Sequence, residues 1–202
     1  MSVFRTRTLV LAATAAAAAL VATACGDDIG GSTPSTVAPT TTSSATAGAR
    51  TDFNDADVTF LQMMYPHHAQ AVEMAQLVPS RTQNPELLAL ATQVEQAQAP
   101  EMAQITTLLT AFGEPAPSAG GHGGHDMPGM MTDAQMSALE AARDAEFDRQ
   151  WLEMMIDHHE GAVDMAKTEL EAGVNPESRQ LATAIVADQE AEIATMRGML
   201  GQ

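Results

Sequence analysis

Phe60-Leu61-Gln62-Met63-Met64-Tyr65-Pro66-His67-His68 and Trp151-Leu152-Glu153-Met154-Met155-Ile156-Asp157-His158-His159 stand 91 residues apart and share one pattern: aromatic, Leu, paired Met, paired His. The same offset, with no gap, pairs Ala71-Val72 with Ala162-Val163, Met74-Ala75 with Met165-Ala166, and Asn84-Pro85-Glu86 with Asn175-Pro176-Glu177. It continues through Leu90-Ala91-Thr92 and Leu181-Ala182-Thr183 to Gln98 with Gln189 and Glu101 with Glu192. A gapless match of this length marks an internal duplication. Two copies are too few for a solenoid, so the copies are expected to pair and close on each other.

Each copy reads as a helical hairpin. A helix from about Asp55 to Val78 leads to a turn, where Asn84 suits an N-cap and Pro85 the first helical position of a second helix ending near Phe112. The second copy repeats this with Asn175-Pro176, giving helices from about Arg143 to Glu171 and from Glu177 to Leu200, and Asp133 to Ala142 adds a short connecting helix. Pro66 and Pro100 fall inside the first copy's helices and are expected to kink them; Asp157 and Ala191 replace them in the second. Two hairpins with apolar faces predict an all-α fold, a ferritin-like four-helix bundle.

Outside the repeats (52–113 and 143–202) the chain is of other kinds. Arg5 and Arg7 precede an apolar run, and Ala22-Thr23-Ala24 leads into Cys25, the single cysteine. Residues 1–24 therefore read as a signal peptide, with Cys25 placed like the lipid-modified residue of a bacterial lipoprotein. Residues 25–51 are Ser, Thr, Pro, Ala and Gly with no hydrophobic period, a tether between lipid and a domain at 52–202. Residues 114–132 form an insert rich in Gly, His and Met between the repeats.

At about 100° per residue, Phe60, Met64, His67, Ala71, Met74 and Val78 share one narrow face, with Met63 and His68 at its edges. Leu90, Val94, Gln98, Glu101, Ile105 and Leu108 form a second stripe, matched by Leu181, Ile185, Gln189, Glu192, Met196 and Met199. A buried carboxylate is costly unless paired or bound to a metal. Glu101 and Glu192 are therefore expected to meet His67, His158 or a cation across the bundle, with Gln98 and Gln189 ligands or supports beside them. The competing reading makes the histidines hydrogen-bonded core and the methionines packing.

Duplication of the whole arrangement favours a metal. Thioether with imidazole suits copper, Cu(I) above Cu(II), whereas zinc favours Cys, His or carboxylate. Di-iron bundles use Glu-x-x-His, and the residues three before His158 and His159 are Met155 and Ile156. The insert carries the same donors: His122, His125, Met127, Met130 and Met131 on a glycine-rich backbone. With 9 Lys+Arg against 26 Asp+Glu and a formal charge of −17, nucleic acid is excluded as a direct partner. Loss of residues 1–24 would remove Arg5 and Arg7 and no acid, deepening the charge to −19. No nucleophile–base pair supports hydrolysis, so the chain reads as a binding protein rather than an enzyme.

The segments Met63 to His68 with Ala71-Val72-Glu73-Met74-Ala75, and Phe147-Asp148 through Met154 to Ala166, resemble the signature of a bacterial exported family. That family is known as a domain of unknown function (DUF) and includes CopM-type copper-binding proteins. Gln189-Glu190-Ala191-Glu192-Ile193 and Met196 are similar to its C-terminal helix motif. The resemblance covers about Asp52 to Gln202. It implies a ferritin-like bundle, an extracytoplasmic location and copper bound by Met63, Met64, His67, His68 and Met74 with their counterparts Met154, Met155, His158, His159 and Met165. Tyr65 stands where the family has Ile, and Asp157 where it has Pro.

The expected function is therefore that of a lipid-anchored protein on the outer face of the cell membrane. It would sequester copper or pass it to partner proteins. An acidic interaction module without metal, and a copper-dependent metal oxidase, remain as alternatives.

Overall fold

The computed structural model describes residues 50–115, 117 and 127–201, and the described part is all helical. The expected signal peptide, Cys25 and His122 and His125 of the insert lie outside the described residues. Five α-helices follow in order: α1 Asp55–Leu77, α2 Pro85–Phe112, α3 Asp133–Ala141, α4 Asp144–Ala172 and α5 Pro176–Met199, with a 3-10 turn at Val78–Ser80 after α1. None of these helices is long and apolar enough to cross a membrane.

Local chemistry sets the helix starts. Asn84 accepts from the Glu86 and Leu87 amides with Pro85 next in line, and Asn175 does the same for Glu177 and Ser178 ahead of Pro176. Asn54 and Asp57 form a capping box on α1, as Thr132 and Gln135 do on α3. α1 and α2 continue through Pro66 and Pro100, so neither proline ends its helix.

The strongest packing is within each repeat, α1 on α2 and α4 on α5, and α1 then packs on α4 to join the repeats. The ends are tied by equivalent groups. The Asp57 carboxylate accepts from the Asn175 amide at 2.9 Å, and its counterpart Asp148 accepts from the Asn84 side chain at 2.9 Å. Each repeat's first helix is thus anchored on the other repeat's turn.

The apolar core is split in two. One cluster joins Met74, Val78, Leu87 and Val94 to Met136 and Leu139 of α3 and to Phe147, Trp151, Met155 and Met196. The other gathers Phe60, Leu61, Met64, Ile105, Leu109, Met165, Leu181 and Ile185. Each fully buried aliphatic or Met side chain contributes about 1.5–3 kcal/mol, which leaves margin for a polar layer between the clusters. All four long helices build that layer: His67 and His68, Gln98 and Glu101, His158 and His159, Gln189 and Glu192.

Candidate metal centre

Four buried imidazoles occupy the middle of the domain. His67, His68 and His159 are fully buried, and His158 is 1 % exposed. The rings of His67 and His158, equivalent residues of the two repeats, lie 3.8 Å apart between centroids. On either side, Glu101 Oε2 accepts from His68 Nε2 at 2.7 Å, and Glu192 Oε2 from His159 Nε2 at 2.7 Å.

The glutamates were expected to meet His67, His158 or a cation; among the histidines it is His68 and His159 that they meet, each within its own repeat. α1 faces α2 as well as α4, so the arc it buries is wider than one narrow stripe. His67 turns to α4, and His68, about 100° round the helix, turns to α2 and reaches Glu101. The glutamates are not enclosed: their side chains are 15 % and 16 % exposed.

His67 Nε2 donates to the Pro128 carbonyl at 3.1 Å. Three imidazoles thus give Nε2–H to an oxygen acceptor. The Nδ1 atoms of all four histidines have no hydrogen-bond partner, nor do His158 Nε2, both side-chain polar atoms of Gln98 and Gln189 Oε1. A buried polar atom without a partner costs about 1–3 kcal/mol, so such a layer is costly unless something binds in it. Burial, with the neighbouring His68 next, pushes His67 down to about 3. Burial and the His67 ring hold His158 well below the usual histidine range. Both are therefore neutral at physiological pH, the form in which imidazole ligates a metal.

The predicted methionines divide. Met64, Met74 and Met155 are fully buried within the apolar clusters and Met165 nearly so, whereas Met63 and Met154 are half-buried. Met63 and Met165, from different repeats, line one cavity of about 430 Å³ with Phe60 and Pro128. In the insert, Met131 is buried and Met127 and Met130 are half-buried. Among the described residues no group of three or more His, Cys, Asp or Glu is placed to hold an ion.

Sequence reasoning put the buried acids at Glu101 and Glu192 alone, yet Asp57 and Glu169 are more deeply buried. Burial would raise Asp57, but the Asn54 and Asn175 amides outweigh it and hold the carboxyl below its usual range. Burial, then the adjacent Asp57 carboxyl, pushes Glu169 up to about 8. Its counterpart in the first repeat is Val78, so duplication could not flag it.

These shifts predict a stability profile with two slopes. Glu169 keeps its proton in the fold up to about 8 but loses it near 4.5 when unfolded, so stability falls as pH rises between those values. His67 and His158 work oppositely: unfolded they protonate near 6.5, folded only well below it, so stability falls as pH drops below 6.5, the His67 contribution being lost by about 3. Glu169→Gln is expected to remove the alkaline slope and to stabilise the domain at pH 8 by on the order of 3 kcal/mol. Urea unfolding from pH 4 to 9 checks this. An alkaline slope retained in the variant would place its origin elsewhere.

Fold and layer together define a duplicated, all-helical protein with a buried imidazole layer shared by its two halves. Residues 57–200 match the family described as "Domain of unknown function (DUF305)", and the chain belongs to that family. A DUF305 fragment from Deinococcus radiodurans is 34% identical with TM-score 0.67, the match covering 73% of this chain and 97% of that one. A putative secreted DUF305 protein from Streptomyces coelicolor is 37% identical with TM-score 0.65, covering 72% and 92%. CopM in a Cu(II)-bound form is 35% identical with TM-score 0.63, covering 71% and 94%, and CopM structures in Cu(I)- and Ag-bound forms also match. No curated protein matches the chain.

Proposed function

We propose that this protein binds copper outside the cell membrane, Cu(I) in preference to Cu(II), and sequesters it or passes it on. The observation that carries the reading is the set of four buried imidazoles, each with a free Nδ1 and three with Nε2 already engaged by an oxygen. Metal-ligating histidines characteristically donate their second ring nitrogen in this way, which fixes the ring and raises its basicity. Among the described residues no three His or acidic groups form a cluster, and in this reading thioethers complete the ligand set. Thioether donors favour Cu(I).

In this reading His67, His68, His158 and His159 supply the imidazoles. Met63, Met64, Met74, Met154, Met155 and Met165 supply sulfur, and Gln98, Glu101, Gln189 and Glu192 surround the ions. The insert, with His122, His125, Met127, Met130 and Met131, is a more labile site. The helices close as a ferritin-like four-helix bundle at 52–202. Residues 1–24 direct export, and Cys25 and the tether hold the domain at the outer face of the membrane. The copper- and silver-bound relatives support the choice of metal.

Elemental analysis of protein purified from copper-supplemented cells is expected to find copper. Cu(I) added to the apo protein is expected to raise its melting temperature, as any ligand specific to the native state must. Absence of copper together with an unmoved melting temperature would refute the proposal.

A further inference from the structure

The duplication makes the two halves of the imidazole layer equivalent in sequence, and the insert makes them inequivalent in space. His67 Nε2 has an acceptor, the Pro128 carbonyl; its counterpart His158 has no such bond to the insert, and neither of its ring nitrogens reaches a partner in good hydrogen-bonding geometry, the His67 backbone exerting only a weak pull on it. A carbonyl oxygen can only accept, so His67 carries its proton on Nε2 and its lone pair on Nδ1. For His68 and His159 the matching acceptor is a glutamate of the adjoining helix, whereas for His67 it comes from a backbone outside both repeats.

That backbone is seated by three contacts. The Gln70 side chain grips both peptide groups of Met131, accepting from its amide at 2.7 Å and donating to its carbonyl at 2.9 Å. Gly129 adopts φ +77° against α4, where a Cβ would come within 2.6 Å of the Asp157 carbonyl oxygen and 2.8 Å of that of His158. Gly161 lets Pro128 approach: a Cβ there would overlap the Pro128 carbonyl and stand 2.7 Å from the Gly129 nitrogen. Gln70 and Gly161 are the same position of the two repeats, 91 residues apart. One position thus clamps the strap on α1 and clears room for it on α4. A glycine in mid-helix, disfavoured by its backbone entropy, is accounted for by this approach.

We infer that residues 128–131 are a strap whose Pro128 carbonyl fixes the tautomer and orientation of His67, with Gln70 and Gly161 as the positioning residues that seat it. For metal binding this rests on the copper reading above; for the imidazole it is a property of the apo protein. The strap leaves His67 presenting Nδ1 and fixes no tautomer of His158, so the halves ligate unequally.

Gly161→Ala and Gln70→Ala in the full-length protein test this, read by 15N NMR of the imidazoles without metal and by Ag(I) titration. Alanine is the better helix former, so Gly161→Ala unseats the strap without endangering α4. In wild type, His67 is expected as the Nε2–H tautomer alone. In either variant it should become a mixture while His68 and His159 are unmoved, and Ag(I) affinity should fall about 10- to 100-fold, the usual effect of losing a group that orients a ligand. His67 remaining wholly Nε2–H in both variants overturns the inference, as does a mixture with affinity unchanged. If wild type takes up no Ag(I), the copper reading fails, and the tautomer measurement alone decides the strap.

Discussion

His67→Ala combined with His158→Ala is expected to weaken Cu(I) and Ag(I) binding by at least about 100-fold, since losing only the group that orients a ligand costs 10- to 100-fold. The effect should exceed that of either single variant, because the two rings face each other across the repeats. The apo double variant is expected to stay folded. Truncating buried side chains leaves space that costs roughly 2–5 kcal/mol in comparable apolar cases. Against this, the change removes three buried nitrogens without partners, His67 Nδ1 and both of His158, each about 1–3 kcal/mol of unmet desolvation. The two effects are of similar size, so affinity and stability separate cleanly. Isothermal titration with Ag(I) beside thermal unfolding without metal checks both. Unchanged affinity would remove these rings from the site, and a collapsed apo fold would make them structural core.

How far the sequence reached depended on the range of the interactions involved. Helix limits were legible because they are set locally: Asn84-Pro85 and Asn175-Pro176 start α2 and α5 where they were expected. The duplication also announced that whatever His68 does, His159 repeats, and the two imidazole–glutamate pairs obey it. Which histidine meets the glutamate was not legible from one wheel, because a helix with neighbours on two sides buries more than one stripe. The strap was hidden for another reason, a glycine-rich segment having no period. One signal did exist. Gly161 breaks a helix pattern where its repeat has Gln70, and an interior glycine points to close backbone approach. Asp57 had a weaker signal, its repetition as Asp148, and Glu169 none, since its counterpart is Val78 and its burial arises where the start of α1 meets the end of α4.

Trp151→Ala is expected to destabilise the domain by about 3–5 kcal/mol, the range for emptying a buried aromatic site. For roughly 150 residues that lowers the melting temperature by about 10 °C. Two contributions add. Trp151 is fully buried in the apolar cluster with Met74, Met155 and Leu139, so its loss leaves a large cavity. Its indole Nε1 also donates to the Met74 carbonyl at 2.9 Å. That carbonyl needs a donor because α1 tightens to a 3-10 turn there and the Val78 amide bonds Ala75 instead. The second repeat thus completes the end of the first repeat's helix, and Phe60, at the equivalent position, has no N–H with which to do the same. Trp151→Phe separates the two contributions: it keeps most of the volume, strands the carbonyl, and should cost about 1–3 kcal/mol. Thermal unfolding by circular dichroism of both variants decides the matter. Equal destabilisation by Phe and Ala would assign the whole effect to the hydrogen bond, and none by Phe would assign it to packing.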